Sequence, residues 1–286
     1  MNTRKILFLV ACLCVSTAMH AQIRLSFNPT IGETYTTRSV SEMQMQKTIM
    51  GMSMPTNIVI SLTMDMTAIE KNDKEVTLDF SYSAISLQQS SPMMNIRFSS
   101  EDDISTLSGF ERDVAEVLNA LVGKTTKVVL GRDGSVISIG GFDAFNNLDL
   151  SNPMMIVFQS MFNEDVLRQM LEQSFNIFPS NAVNVGDSWD NNATVIAQGV
   201  TTTSNATYTL RSVTGNSAFI DVTAVIASTG AGAEIAGESV GEMELDILTG
   251  MVINSSLNGS SSGAISGEGI EIGMEVTSRM TMTLVQ

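Results

Sequence analysis

The chain has 286 residues, with 15 basic and 30 acidic side chains and a formal net charge of −15. This acidic balance argues against a nucleic acid or an anionic membrane as a partner. The single histidine (His20) and both cysteines (Cys12 and Cys14) lie within the first 21 residues. If that segment is removed, Ser-His-Asp and Cys-His nucleophile systems, zinc sites with thiolate or imidazole ligands, and disulfides are excluded. We therefore expect a protein that is not an enzyme and holds no cofactor.

Residues 1–21 have the three-part layout of a secretory signal peptide. A basic Arg4-Lys5 pair precedes the apolar segment 6–15, and the small-residue segment 16–21 follows. About ten apolar residues are too few for a membrane-spanning helix. We place cleavage after Ala21, and Leu9-Val10-Ala11-Cys12 offers lipidation of its cysteine as the alternative. The predicted location is the periplasm or the cell exterior, with association to an outer membrane left open.

Alternation of apolar and polar residues with a period of two dominates the rest of the chain. It occurs over residues 58–66, 76–82, 220–226, 243–247 and 270–284. Such a pattern predicts antiparallel strands with one buried face. The phase slips after Tyr82, which predicts a bulge near Ala84. Hairpin turns are predicted at four dipeptides: Asn72-Asp73, Asp133-Gly134, Gly215-Asn216 and Thr249-Gly250.

Two regions have helical periodicity instead. Residues 104–122 show apolar positions three and four apart, and Gly123 ends the run. The second helical segment, 153–178, begins at Pro153 and ends before Pro179. Its first part, 154–162, is apolar nearly all round, so every side of it must be buried, either in the core or across a cavity.

A short repeated motif suggests that the chain has two related halves. Gly32-Glu33-Thr34-Tyr35 opens the first β region, and Gly186-Asp187-Ser188-Trp189 opens the second, 154 residues later. We expect a mainly-β (α+β) fold in which a large curved antiparallel sheet, or half-barrel, carries both helical segments on its concave face. Residues 22–286 would form one domain, with halves at about 22–150 and 180–286 around the segment 153–178.

Two features of the sequence match patterns found in functional sites. Gly237-Glu238-Ser239-Val240-Gly241 matches the G-x-S-x-G pattern of hydrolases, but that motif needs a histidine base and a strand–turn–helix context. The chain also has 20 methionines, seven of them between Met43 and Met66. Thioethers bind Cu(I), whereas Met-x-Met spacing on a strand also places apolar filler on one face. We favour core or cavity lining over copper.

The sequence also resembles a known family. The signal ending in Ala-Gln, the Gly32–Tyr35 opening, the Val185–Trp189 turn and the Leu248-Thr249-Gly250 hairpin resemble a family of uncharacterised secreted proteins of Gram-negative anaerobes. This resemblance implies no activity. More loosely, the expected architecture resembles the periplasmic lipoprotein carriers, in which a curved sheet holds acyl chains under a helical lid. A shared architecture does not by itself establish a shared function.

The leading hypothesis is non-enzymatic binding of a hydrophobic, lipid-like ligand in the concavity of the sheet. The predicted lid and lining residues are Met154, Met155, Val157, Phe158, Met161, Phe162, Met64 and Met66. One alternative is a surface or scaffold module in which the helices fill the sheet and no small ligand binds. An enzyme that uses carboxylates is a further alternative, although 30 acidic side chains give no positional reason to choose a pair.

Overall fold

The computed structural model describes residues 22–141, 164–197, 199–267 and 270–285. They form one mainly antiparallel sheet of 12 strands with two α-helices. The strands are β1 (Thr34–Ile49), β2 (Met52–Lys71), β3 (Glu75–Ser90), β4 (Asn95–Ser99), β5 (Thr125–Gly131), β6 (Val136–Gly140), β7 (Ser188–Ala197), β8 (Val200–Thr214), β9 (Ser217–Gly230), β10 (Ala233–Asp246), β11 (Val252–Gly267) and β12 (Ile270–Leu284). The helices are α1 (Gly109–Asn119) and α2 (Glu164–Phe175).

The strands are ordered β6-β5-β3-β2-β1-β12-β11-β10-β9-β8-β7, and β4 pairs with β3 beside β5. The predicted mainly-β class and all four predicted turns are confirmed, because each turn joins two paired strands. The predicted bulge is confirmed as well. Thr63 pairs with Ala84 while Met64 pairs with Tyr82, so one residue of β3 is left unpaired between them.

The first helical prediction, 104–122, was too long. Residues Ile104–Thr106 form a separate 3₁₀ turn, and Leu107 and Ser108 are extended before α1 begins at Gly109. Asp103 caps the 3₁₀ turn by accepting a hydrogen bond from the amide of Ser105 at 2.9 Å, so this turn has an N-terminal cap of its own, separate from α1. The second segment is helical over the described residues 164–175; its part 153–163 and the signal segment 1–21 lie outside the described residues.

The two halves repeat one hydrogen-bond pattern. The amide of Gly32 donates to the carbonyl of Ala68 at 2.8 Å, and the amide of Gly186 donates to the carbonyl of Leu210 at 2.7 Å. Two side-chain contacts repeat as well. Thr34–Thr67 (2.7 Å) corresponds to Ser188–Thr209 (2.8 Å). Thr36–Asp65 (2.7 Å) corresponds to Asp190–Thr207 (2.6 Å). The β1–β2 pair therefore corresponds to the β7–β8 pair, and β12 lies between β1 and β11.

Helix α2 shows how strongly the sheet curves, because it contacts both edge strands. Arg168 of α2 donates to the carbonyl of Val136 in β6 at 3.2 Å. Just after the helix, the carbonyl of Ile177 accepts the indole N–H of Trp189 in β7 at 2.9 Å. A sheet whose two edges reach one helix must wrap around it, so α2 packs on the concave face.

The core lies at one end of the sheet, which we call the lower end; it carries the turns at 72–74, 132–135, 215–216 and 247–251. Residues 22–28 cross this end: Ile23 pairs with Val183, and the amides of Phe27 and Asn28 donate to the carbonyls of Arg132 and Thr249. The opposite, upper end carries the β1–β2 and β9–β10 hairpins. No helix in the part of the chain that the structure describes has the length and hydropathy of a membrane span.

Candidate functional site

A cavity of about 90 Å³ lies between α2 and the middle strands of the sheet. The sheet lines it with Met64, Met66, Phe80, Tyr82, Met280 and Met282. Helix α2 lines it with Leu167, Leu171 and Phe175. Met251, just before β11, and Val252, the first residue of β11, also line the cavity and are 3% and 7% exposed. Methionines and aromatic residues are thus eight of the 16 described residues that line the cavity, and the thioethers among them are flexible.

The cavity also holds a few polar groups, and none of the described side chains that line it is charged. Thr37 is 2% exposed and Ser39 is 6% exposed, and both face the cavity from β1. Thr37 Oγ1 is buried and has no hydrogen-bond partner within the described ranges. Burial raises the pKa of Tyr82, so its phenol stays protonated at neutral pH.

An apolar surface continues from the cavity towards the upper end of the concave face. Because β1, β2 and β12 pair in register, residues that share a cross-strand row lie on the same face. The row of the cavity residue Met280 contains Ser41 and Ile60. The next two rows towards the upper end contain Met43 with Ile58, and Met45 with Val276. These side chains are half-buried, whereas Met280 is 40% exposed. The cavity therefore opens onto an apolar strip.

The other half of the concave face carries much smaller side chains. The rows across β10 and β11 pair Gly241 with Leu257, Ser239 with Gly259, and Gly237 with Ser261. Small residues let neighbouring backbones approach closely and let a sheet bend sharply. The pentapeptide that matches G-x-S-x-G is part of this region. It lies in the middle of β10 and not at a strand–turn–helix junction, so it lacks the structural context of a nucleophile elbow.

Of the predicted lining residues, Met64 and Met66 line the cavity from β2, with Met66 buried to 5% exposure. The other six, Met154, Met155, Val157, Phe158, Met161 and Phe162, lie outside the described residues. The methionines between 43 and 66 are not one spatial cluster. Met50 and Met52 are 78% and 66% exposed at the upper hairpin, and at about 3.3 Å per residue Met64 is roughly 40 Å further along β2.

Sequence reasoning missed Thr37 and Ser39. The signal was available, because both share the phase of Tyr35, Met43 and Met45 along β1. In a strand of period two, those positions point to one face, so a hydroxyl at 37 or 39 is a polar residue in an apolar phase. The alternation of β1 is weaker than that of β2 and β12, and it passed unnoticed.

The fold and site define a curved, open antiparallel sheet that encloses a small apolar cavity beneath a helix. The chain belongs to the family of unknown function DUF6263, whose sequence profile matches residues 73–267. No curated protein matches the sequence.

Among solved structures, lipovitellin is similar, in a structure that concerns lipid–protein interactions, with a TM-score of 0.52 and 9% identity over 90% of this chain. This chain spans 25% of the lipovitellin chain, and the similarity shows the fold alone. OpdQ of Pseudomonas aeruginosa matches with a TM-score of 0.25 and 6% identity, covering 90% of this chain and 100% of its own. The COG4313 outer membrane channel of Pseudomonas putida F1 has a TM-score of 0.25 and 8% identity, covering 94% of this chain and 99% of its own. A TM-score of 0.25 does not establish a shared fold with either protein.

Proposed function

We propose that the protein is a non-enzymatic, exported binder of a hydrophobic, lipid-like ligand, held on the concave face of the sheet. The observation that carries the proposal is the apolar cavity under α2 and its continuity with the strip formed by β1, β2 and β12. The side chains of this strip are only half-buried, and apolar surface that remains in contact with water favours a ligand that covers it.

The similarity to lipovitellin is consistent with this proposal, because the structure of that protein was described for its lipid–protein interactions. A curved sheet that presents one apolar face can bury an alkyl chain without any catalytic group. Each buried methylene would contribute about 0.8 kcal/mol, so a chain of ten carbons needs nearly complete burial, about 8 kcal/mol, to approach micromolar affinity.

The size of the cavity favours a second candidate, a scaffold module without a small ligand. At about 90 Å³, the cavity is smaller than the roughly 300–1,000 Å³ of typical ligand pockets. Binding and scaffold functions therefore differ in one respect that can be measured, namely whether an alkyl chain occupies the concave face.

Native mass spectrometry of the protein purified from its own host is the first test. Co-purified lipid supports the binding function, and a clean apo mass after gentle extraction favours the scaffold. The second test is fluorescence titration with N-phenyl-1-naphthylamine, a neutral hydrophobic probe, and its displacement by decan-1-ol.

A matched pair of variants shows where the probe binds. Met280→Glu puts a carboxylate at the mouth of the cavity, on a side chain that is already 40% exposed, so the fold should tolerate it. Thr283→Glu makes the same change of charge on the same strand, at an exposed position on the convex face. We expect at least about a tenfold loss of affinity in the first variant, because a carboxylate resists desolvation, and little change in the second. Equal affinity in both variants would exclude the cavity as the binding site.

A further inference from the structure

The cavity contains a hydroxyl group that the described part of the protein leaves unpaired. Thr37 Oγ1 is buried, the residue is 2% exposed, and the side chain lines the cavity. Buried polar groups in folded proteins nearly always have a hydrogen-bond partner, since an unpaired one is costly. An unpaired hydroxyl that faces a cavity is therefore a position where a bound molecule can supply the missing partner.

The surroundings of this hydroxyl restrict what that partner is. In the rows across β12, β1 and β2, Thr37 lies between Leu284 and Met64, and the next row places Ser39 between Met282 and Leu62. None of the described residues that line the cavity carries a charge. An ionised headgroup would have to give up its hydration without a counter-ion, which is strongly unfavourable. An uncharged hydroxyl or carbonyl group needs only one hydrogen bond.

We propose that the ligand is an amphiphile with an uncharged hydrogen-bonding group, and that this group enters the cavity first and bonds to Thr37 Oγ1. This inference rests on the proposed function and specifies its ligand. The cavity of about 90 Å³ has room for the polar group and the first carbons of a chain, since a whole drug-sized ligand fills roughly 300 Å³ or more. The rest of the chain passes Met280 and lies along the apolar strip towards the upper end.

The inference is tested by the affinities of three probes of equal chain length: decan-1-ol, 1-chlorodecane and decanoate. Each displaces N-phenyl-1-naphthylamine from the full exported chain, at a mildly alkaline pH at which decanoate is ionised. We expect decan-1-ol to bind about tenfold more tightly than 1-chlorodecane, a ratio that corresponds to about 1.4 kcal/mol, of the order of one buried hydrogen bond. Decanoate should bind most weakly of the three.

Three variants then assign the preference to the hydroxyl. Thr37→Val keeps the shape of the side chain and removes the oxygen, so the alcohol should lose its advantage while 1-chlorodecane is unaffected. Thr37→Ser keeps the oxygen and should retain the preference. Thr36→Val makes the same chemical change one residue away, where the hydroxyl already donates to Asp65 on the convex face at 2.7 Å, and it should leave all three affinities unchanged.

The outcomes separate this inference from the proposed function. If the probes bind and the alcohol preference is absent, or survives in Thr37→Val, the inference is wrong while hydrophobic binding stands; a water molecule that already pairs with Thr37 would give this result. If decanoate binds most tightly, the ligand is anionic and the inference is again wrong. If no probe binds, both fail.

Discussion

Glycines on β10 and β11 should control how tightly the concave face curves, and Gly263 offers a direct test. A Cβ atom placed on Gly263 would lie 2.0 Å from the carbonyl oxygen of Glu234 and 2.6 Å from Cα of Ile235. Both atoms belong to the backbone of the neighbouring strand, so a change of side-chain rotamer cannot relieve the clash. Gly263→Ala therefore forces β10 and β11 apart at this point. Gly267, on the same strand, has nothing within 4 Å of an added Cβ.

The expected energies have opposite signs at the two glycines. At Gly267 alanine should stabilise the protein by about 0.5–1 kcal/mol, because it restricts the unfolded chain without a clash. At Gly263 overpacking should cost about 1–3 kcal/mol or more, which exceeds that gain. Because the gain from restricting the unfolded chain applies to both variants, they should differ by the overpacking cost of about 1–3 kcal/mol, or roughly 2–12 °C in Tm at about 2–4 °C per kcal/mol for a chain of this size.

Urea unfolding followed by far-UV circular dichroism measures both variants, with the midpoint and the m value fitted separately. If Gly263→Ala is as stable as Gly267→Ala, the strands are not as close as the structure has them. Since the curvature forms the ligand surface, we also expect weaker N-phenyl-1-naphthylamine binding in Gly263→Ala at temperatures where it is folded.

Two further predictions concern stability. Thr37→Val should raise the free energy of unfolding of the ligand-free protein by about 1–2 kcal/mol, because it removes an unpaired buried hydroxyl. Thr36→Val should lower the free energy of unfolding by about 1 kcal/mol, because it removes the hydroxyl that donates to Asp65. Urea midpoints that move in the same direction in the two variants would contradict this prediction. Trp189→Phe should cost about 1–2 kcal/mol, because the indole N–H bonds to the carbonyl of Ile177 at 2.9 Å, and an unchanged Tm would show that this bond does not hold the second edge strand to the helical segment.

Alternation in the sequence predicted five of the twelve described strands, β2, β3, β9, β10 and β12, because burial of one face imposes a period of two that is visible in the residues. β12 is the clearest case: its bounds, Ile270–Leu284, agree with the predicted alternation. The phase slip near Ala84 was visible for the same reason, since an extra residue exchanges the two faces. The helix at 104–122 was over-predicted because apolar spacing alone does not distinguish a 3₁₀ turn followed by extended residues from a continuous helix.

The order of the strands was not predictable from the same evidence. Turn signals identify neighbours along the chain, but β12 pairs with β1 across more than 220 residues of sequence, and no turn records this. The contact of α2 with both β6 and β7 spans far fewer residues, but no turn signal predicts it either. The phase of Thr37 along β1 is readable from the sequence, but its place in the cavity is not, because that place depends on β2 and β12 lying on either side of β1.

The position of β12 explains why the cavity lies where it does. The β1–β2 pair and the β7–β8 pair repeat the same hydrogen bonds, and β12 joins β1 of the first half to β11 of the second. It brings Met280 and Met282 to the cavity, opposite α2, at the junction of the two halves. The ligand that we propose packs on the apolar side chains that β12 and β1 present at this junction.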